Sequence, residues 1–112
     1  MELIRRLKAA GYRVYYLSNY PERSFRYLRS IMPVFDEMDG GVVSWEVHKI
    51  KPEPEIYRLL LERYQLSAEG SVFADDTPAN LKTAAELGLF TWRFQDAAGF
   101  EGYLKHQLGM EF

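Results

Sequence analysis

The chain has 112 residues, enough for one domain that buries roughly two thirds of its unfolded surface. A hydrophobic content of 47% excludes a disordered chain. A net charge of −2 argues against nucleic acid or an acidic membrane as main partner, and the lack of cysteine excludes disulfides and thiolate metal sites. No apolar run reaches membrane-spanning length, and Met1-Glu2-Leu3-Ile4-Arg5-Arg6 lacks the core of a signal peptide. The expected location is cytoplasmic, with no membrane or nucleic-acid partner.

Residues 2–10 read as a helix, with Leu3, Ile4, Leu7 and Ala10 on one face, Arg5, Arg6 and Lys8 elsewhere, and Gly11 as its C′ residue. Residues 13–17 read as a strand rich in β-branched and aromatic residues. It runs into Ser18-Asn19-Tyr20-Pro21, where a hydroxyl and an amide at a strand's carboxyl end suit a phosphate, or where Asn and Pro simply make a turn. A helix over 22–31 follows, with Phe25, Leu28 and Ile31 inward, and Pro33 stops it. Residues 34–41 read as a loop anchored by Phe35, with Asp36 and Asp39 as loop acids, since neither follows a strand. Val42-Val43-Ser44 is a short strand, 45–50 a connecting loop, and His48 a lone surface or packing histidine.

Lys49-Ile50-Lys51-Pro52-Glu53-Pro54 leads into a helix through about residue 64, with Ile56, Tyr57, Leu60, Leu61 and Tyr64 on its apolar face. A lysine just before a helix start opposes the dipole there, which hints that Lys51 is held for an anion; a solvated lysine is the alternative.

The most informative stretch is Ser71-Val72-Phe73-Ala74-Asp75-Asp76-Thr77-Pro78-Ala79-Asn80. It reads as a short buried strand over 71–74 that ends in two adjacent carboxylates and turns into a helix. Thr77 is the N-cap and Pro78 the first helical residue. Leu81, Ala84, Ala85 and Leu87 supply its apolar face, and Gly88 closes it. Neighbouring carboxylates repel unless a cation or a donor compensates, and Mg2+, which prefers oxygen ligands, fits that place. The alternative is an acidic helix start favoured by the dipole. Residues 89–94 form a further strand, and Asp96 caps a last helix to about residue 108, weakened by Gly99 and Gly102. Regular alternation of helix and strand predicts an α/β fold, a doubly wound parallel sheet.

Three segments now stand in order: Leu17-Ser18-Asn19 after one strand, Lys51-Pro52-Glu53-Pro54-Glu55-Ile56-Tyr57 opening a helix, and Phe73-Ala74-Asp75-Asp76-Thr77-Pro78-Ala79-Asn80 after another strand. They resemble motifs II, III and IV of the haloacid dehalogenase (HAD) superfamily of hydrolases. The flanks Lys8-Ala9-Ala10-Gly11-Tyr12 and Ala84-Ala85-Glu86-Leu87-Gly88 match too, so the likeness covers essentially the whole chain. The subgroup it looks most like carries a helical cap, and many of its members are phosphatases of small phosphorylated metabolites.

The resemblance implies a HAD-like, Rossmann-like core and a role for each matching residue. Ser18 donates its hydroxyl to a phosphoryl oxygen, with the backbone amide of Asn19 beside it. Lys51 neutralises charge on the nucleophile and the phosphoryl group. Asp76 is the Mg2+ ligand, Asp75 a supporting acid, and the role of Asn80 is open. Ser18 and Lys51 are thereby the catalytic residues of this segment, and Ser18, Asn19 and Lys51 the phosphate-binding ones.

Motif I has no counterpart. The family's nucleophile is an aspartate in an Asp-x-Asp pattern after the first strand, giving an aspartyl-phosphate, and no Asp-x-Asp occurs in these residues. The expectation is a HAD core that lacks its first central strand and its cap, an N-terminally incomplete fragment inactive by itself. That strand lies between those matching 13–17 and 71–74. Without it the core is marginal, pairs these two strands directly, or recruits a strand from another molecule by complementation or homo-oligomerisation. The alternative function is a non-catalytic phosphate- or protein-binding module. A response-regulator-like domain also uses an acidic pair and a lysine, but there the acidic pair comes early in the chain and here it comes late.

Overall fold

The computed structural model describes residues 2–112, which gather into two units: residues up to 50 together with Phe112, and residues 51–111. Each is a pair of parallel strands with the helices that connect and cover it.

In the first unit, α1 (Glu2–Ala9) buries Leu7. It ends as the sequence predicts, with Gly11 at φ +95°. The Gly11 amide donates to the Lys8 carbonyl at 3.0 Å and that of Tyr12 to Leu7 at 3.0 Å, which satisfies the last carbonyls of the helix. Strand β1 (Tyr15–Ser18) pairs in parallel with β2 (Gly40–Val43), in register from Tyr15 opposite Gly40 to Ser18 opposite Val43.

Both strands are displaced from their expected positions. Asp39 is the reason at one end. Its amide donates to the Val14 carbonyl at 2.8 Å, and its carboxylate accepts from the Val14 amide at 2.7 Å and from Lys8 Nζ. This clasp consumes the backbone of Val14, so the ladder begins at Tyr15. At this same end β2 opens on two glycines, poor strand formers, and the ring of Tyr16 lies where a Cβ of Gly41 would be.

Between the strands, α2 (Glu22–Ile31) begins and ends where expected and buries Phe25. Ile31, expected inward, is 53% exposed. The segment read as a loop contains α3 (Val34–Glu37), a single turn started by Pro33 that buries Val34. Phe35 is the expected anchor: its ring packs edge-on against Tyr16 and Phe25 at 5.4 and 5.6 Å. A second short turn, α4 (Ser44–Val47), follows β2 directly where a connecting loop was expected. Val42 and Val43 are buried between these elements.

The second unit opens with α5 (Pro54–Arg63), whose Ile56 and Tyr57 are the buried part of the expected apolar face. Full burial of a side chain such as Ile56 contributes about 1.5–3 kcal/mol. Strand β3 (Val72–Asp75) pairs in parallel with β4 (Phe90–Arg93), Val72 opposite Phe90 and Asp75 opposite Arg93. Between them, α6 (Pro78–Glu86) packs on both strands and buries Ala84. Ala85, expected on the same face, is exposed. Gly88 closes α6 at φ +95°, and its amide and that of Leu89 bond the Ala85 and Ala84 carbonyls at 3.0 and 3.1 Å.

Asp96 caps α7 (Ala97–Gly102), its carboxylate accepting from the Gly99 amide at 2.7 Å. The helix then widens into a π-helical turn over Tyr103–Gln107, which carries Leu104 into the core and stacks Tyr103 on Trp92 at 4.5 Å.

Parallel strands joined through helices are the α/β, doubly wound class that the sequence predicts. Among the described residues β1 is hydrogen-bonded to β2, and β3 to β4. Among the described residues, no helix is long and apolar enough to cross a membrane.

Candidate active site

Asp75 closes β3, and its side chain is 7% exposed. A carboxylate in that position needs donors, and three are provided. Lys51 Nζ, itself 12% exposed, donates to Oδ2 at 2.8 Å. The Thr77 amide donates to Oδ1 at 2.8 Å, and Asn80 Nδ2 to Oδ2 at 3.3 Å. The local sequence builds this arrangement. Pro78 starts α6 two residues beyond the acidic pair, so the unpaired amide of Thr77 faces back to the strand end, and Asn80 follows within the first turn.

Burial pushes the Asp75 carboxyl upward. The hydrogen bond and charge of Lys51, with the donors from Thr77 and Asn80, outweigh it and hold the group below the ordinary carboxylate range.

Lys51 is placed from two sides. Its ammonium sits over the face of Phe73, 5.7 Å from the ring centre. The Lys51–Pro52 peptide bond is cis, and the Pro52 carbonyl accepts from the Thr83 hydroxyl at 2.8 Å, tying the segment before α5 to α6.

Asn80, whose role the sequence left open, is 8% exposed and links the carboxylate to the core. Its side chain bonds Asp75, and its carbonyl accepts from the Tyr57 hydroxyl at 2.8 Å. Tyr57 was read as part of an apolar face. It is 2% exposed, packs edge-on against Phe73 at 5.4 Å, and its phenol is pushed up to about 12, first by burial and then by the charge of Asp75. A tyrosine at a core position near a buried acid was the available signal for it. Thr83 was also missed, and nothing in the sequence singled it out.

Asp76 is exposed and accepts from the Thr77 hydroxyl at 3.3 Å. Thr77 is therefore the N-cap by position, but its hydroxyl makes no capping bond. Among the described residues no group of three or more acidic or histidine side chains could hold a metal ion. A Mg2+ ion keeps several waters and needs one or two carboxylates from the protein. Both oxygens of Asp75 are engaged by donors, and Asp76 stands at the solvent edge. Of the two acids, Asp76 is the exposed one, the residue that would hold a hydrated Mg2+.

In the first unit, Ser18 is the last residue of β1 and is half-buried, and Asn19 is exposed. The loop beyond them is fixed: Ser44 Oγ accepts from the Tyr20 amide at 3.0 Å and donates to the Tyr20 carbonyl at 3.2 Å. Asp36 pairs with Arg29 at 3.0 Å and Asp39 with Lys8, so both are structural acids. The predicted site residues thus fall into two local sets, Ser18 and Asn19 after β1, and Lys51, Asp75 and Asp76 around the end of β3.

Residues 1–88 match the haloacid dehalogenase-like hydrolase family. The chain is 32% identical over 95 residues to the sesquiterpene phosphatase astK of Aspergillus oryzae, covering 85% of this chain and 48% of that protein. It is 35% identical over 74 residues to bifunctional epoxide hydrolase 2 of Rattus norvegicus, covering 66% of this chain and 13% of that one. The chain thus spans at most about half the length of these curated relatives. Its fold is similar to that of a HAD family enzyme from Bacteroides thetaiotaomicron in complex with magnesium and inorganic phosphate, with a TM-score of 0.79 and 29% identity over 88% of this chain and 54% of that one. A HAD-like family hydrolase from Porphyromonas gingivalis gives a TM-score of 0.80 at 25% identity, over 98% of this chain and 56% of that one. The chain belongs to the haloacid dehalogenase-like hydrolases.

Proposed function

We propose that this chain carries the phosphate-binding and charge-neutralising part of a HAD-type phosphohydrolase, a cytoplasmic phosphatase acting on a small phosphorylated metabolite through an aspartyl-phosphate. The observation that carries the reading is the Lys51–Asp75 ion pair at the carboxyl end of β3, where α/β folds bind ligands. Phosphoryl transfer is catalysed mainly by positioning and by charge on the equatorial oxygens.

Each residue has a defined task. Lys51, held by Asp75 and by the Phe73 face, offers a fixed positive charge to the phosphoryl group. Asp75 keeps Lys51 aimed, and Lys51, the Thr77 amide and Asn80 together hold Asp75 ionised. Ser18 donates its hydroxyl to a phosphoryl oxygen, and Asn19 adds a backbone donor. Asp76 binds Mg2+. When bound, Mg2+ supplies further neutralisation of phosphoryl charge. The nucleophilic aspartate is not among these residues, because no Asp-x-Asp occurs in them.

The second reading is a phosphate- or protein-binding module without turnover. Magnesium-dependent hydrolysis of an aryl phosphate tests the leading one. The 112-residue chain alone should give no turnover. Turnover that disappears in Asp76→Ala would overturn the inactivity. The in-frame DNA upstream of Met1 separates the two readings. An apolar strand ending in Asp-x-Asp supports the hydrolase, and a stop codon close before Met1 supports the module.

A further inference from the structure

Next to Asn19 lies an open cavity of about 400 Å³ whose walls include Tyr20, Pro21, Trp45, His48 and Ile50. That volume falls in the usual range for small-molecule sites. The lining is mostly apolar, yet its side chains are not consumed by the core: Tyr20 is 39% and Ile50 52% exposed. The walls are built. The paired Ser44–Tyr20 hydrogen bonds fasten the loop after β1 to the start of α4. His48 closes α4 at φ +57°, an uncommon conformation for a residue other than glycine, held by its amide on the Ser44 carbonyl at 2.8 Å. The indole N–H of Trp45 is buried with no acceptor among the described residues, a rare state for a donor in a cavity wall.

We infer that this cavity is a specificity site for the organic part of the substrate, and that it selects phosphate monoesters of flat or branched apolar alcohols over small hydrophilic ones. The inference rests on the proposed phosphate role of Ser18 and Asn19. Asn19 belongs both to the phosphate-binding loop and to the cavity wall, so an ester whose phosphate meets Ser18 and Asn19 has its leaving group beside Tyr20 and Pro21. An aromatic ring there removes apolar surface of Tyr20, Trp45 and Ile50 from water. An alcohol bearing several hydroxyls finds few partners in this lining and loses hydration.

The test compares inorganic phosphate, glycerol phosphate, naphthyl phosphate and naphthol by calorimetry on the full chain. Naphthyl phosphate should bind at least about tenfold more tightly than inorganic phosphate or glycerol phosphate, the return for burying one ring. Ile50→Ser and Tyr20→Ser, both at exposed side chains, should each shrink that advantage severalfold. Inorganic phosphate binding without any advantage for the naphthyl ester overturns this inference and leaves the phosphate site standing. So does an advantage that survives both substitutions, or naphthol binding as tightly as its ester. No binding of inorganic phosphate overturns the phosphate site itself, and this inference with it.

Discussion

Lys51 Nζ lies 2.8 Å from Asp75 Oδ2, and the two side chains are 12% and 7% exposed. A pair this sheltered is costly to break from one side, because the remaining charge keeps its desolvation without its partner. Lys51→Ala should destabilise the chain by about 1–3 kcal/mol, seen as a lower urea midpoint with an unchanged slope. Asp76→Ala, at the exposed neighbour, should stay within about 0.5 kcal/mol of wild type. The reverse order would show that Asp75 and Asp76 have exchanged their structural roles.

Acid stability follows from the same carboxylate. The folded state holds the Asp75 carboxyl below its ordinary value of 3.8, so it contributes stability above that value and loses it as pH falls through the lower folded value. Asp39 acts in the same direction, because Lys8, the Val14 amide and Arg13 outweigh the upward push of burial. Stability should therefore be level above about pH 5 and decline at pH values below the ordinary carboxylate range. Asp75→Asn should flatten part of that decline in urea titrations run across the acid range.

Tyr57 sets the alkaline limit. Its phenol is pushed from 10.0 to about 12, chiefly by burial, so the folded state holds that proton more tightly than the unfolded chain. The contribution is complete below 10.0 and lost as pH rises toward 12. Tyr57→Phe should abolish this loss, and should cost about 1 kcal/mol at neutral pH by leaving the Asn80 carbonyl without its donor. Phenolate absorbance during alkaline titration, with and without the substitution, measures both effects.

Gly41 is required by its neighbour across the ladder. A Cβ there would occupy the position of the Tyr16 ring, which packs on Phe25 and Phe35. Gly41→Ala should destabilise by about 1–3 kcal/mol through overpacking. Tyr16→Leu combined with Gly41→Ala should recover part of that loss in thermal melts.

The regular elements were legible wherever periodicity and punctuation agreed. Helix α2 begins after Pro21 and ends before Pro33, and α6 runs from Pro78 to just before Gly88, because proline fixes φ and glycine accepts the positive φ that ends a helix. Strand β2 was misplaced because Gly40 and Gly41 carry no strand signal, and the place of Gly41 depends on the ring of Tyr16, twenty-five residues earlier in the chain. The single turns α3 and α4 were missed for a related reason: four residues are too few to show a period. At the site, Lys51, Asp75 and Asp76 were visible as a pattern of types. Which acid is sheltered was not, since that depends on Thr77 and Asn80 folding back onto the strand end. Asn80 and Tyr57 enter the network through a side-chain amide, a backbone carbonyl and a phenol, and no spacing rule reports such contacts.

The most direct test of the account is anion binding together with turnover on one preparation of the 112-residue chain. Tungstate, a phosphate mimic, is titrated by calorimetry into wild type, Ser18→Ala and Lys51→Gln, and aryl phosphate hydrolysis is followed with Mg2+ present. Tungstate should bind in the millimolar range or tighter, about −4 kcal/mol or better, weakened severalfold by either substitution, with no hydrolysis. Absence of tungstate binding, binding indifferent to Ser18 and Lys51, or turnover by the wild-type chain would contradict it.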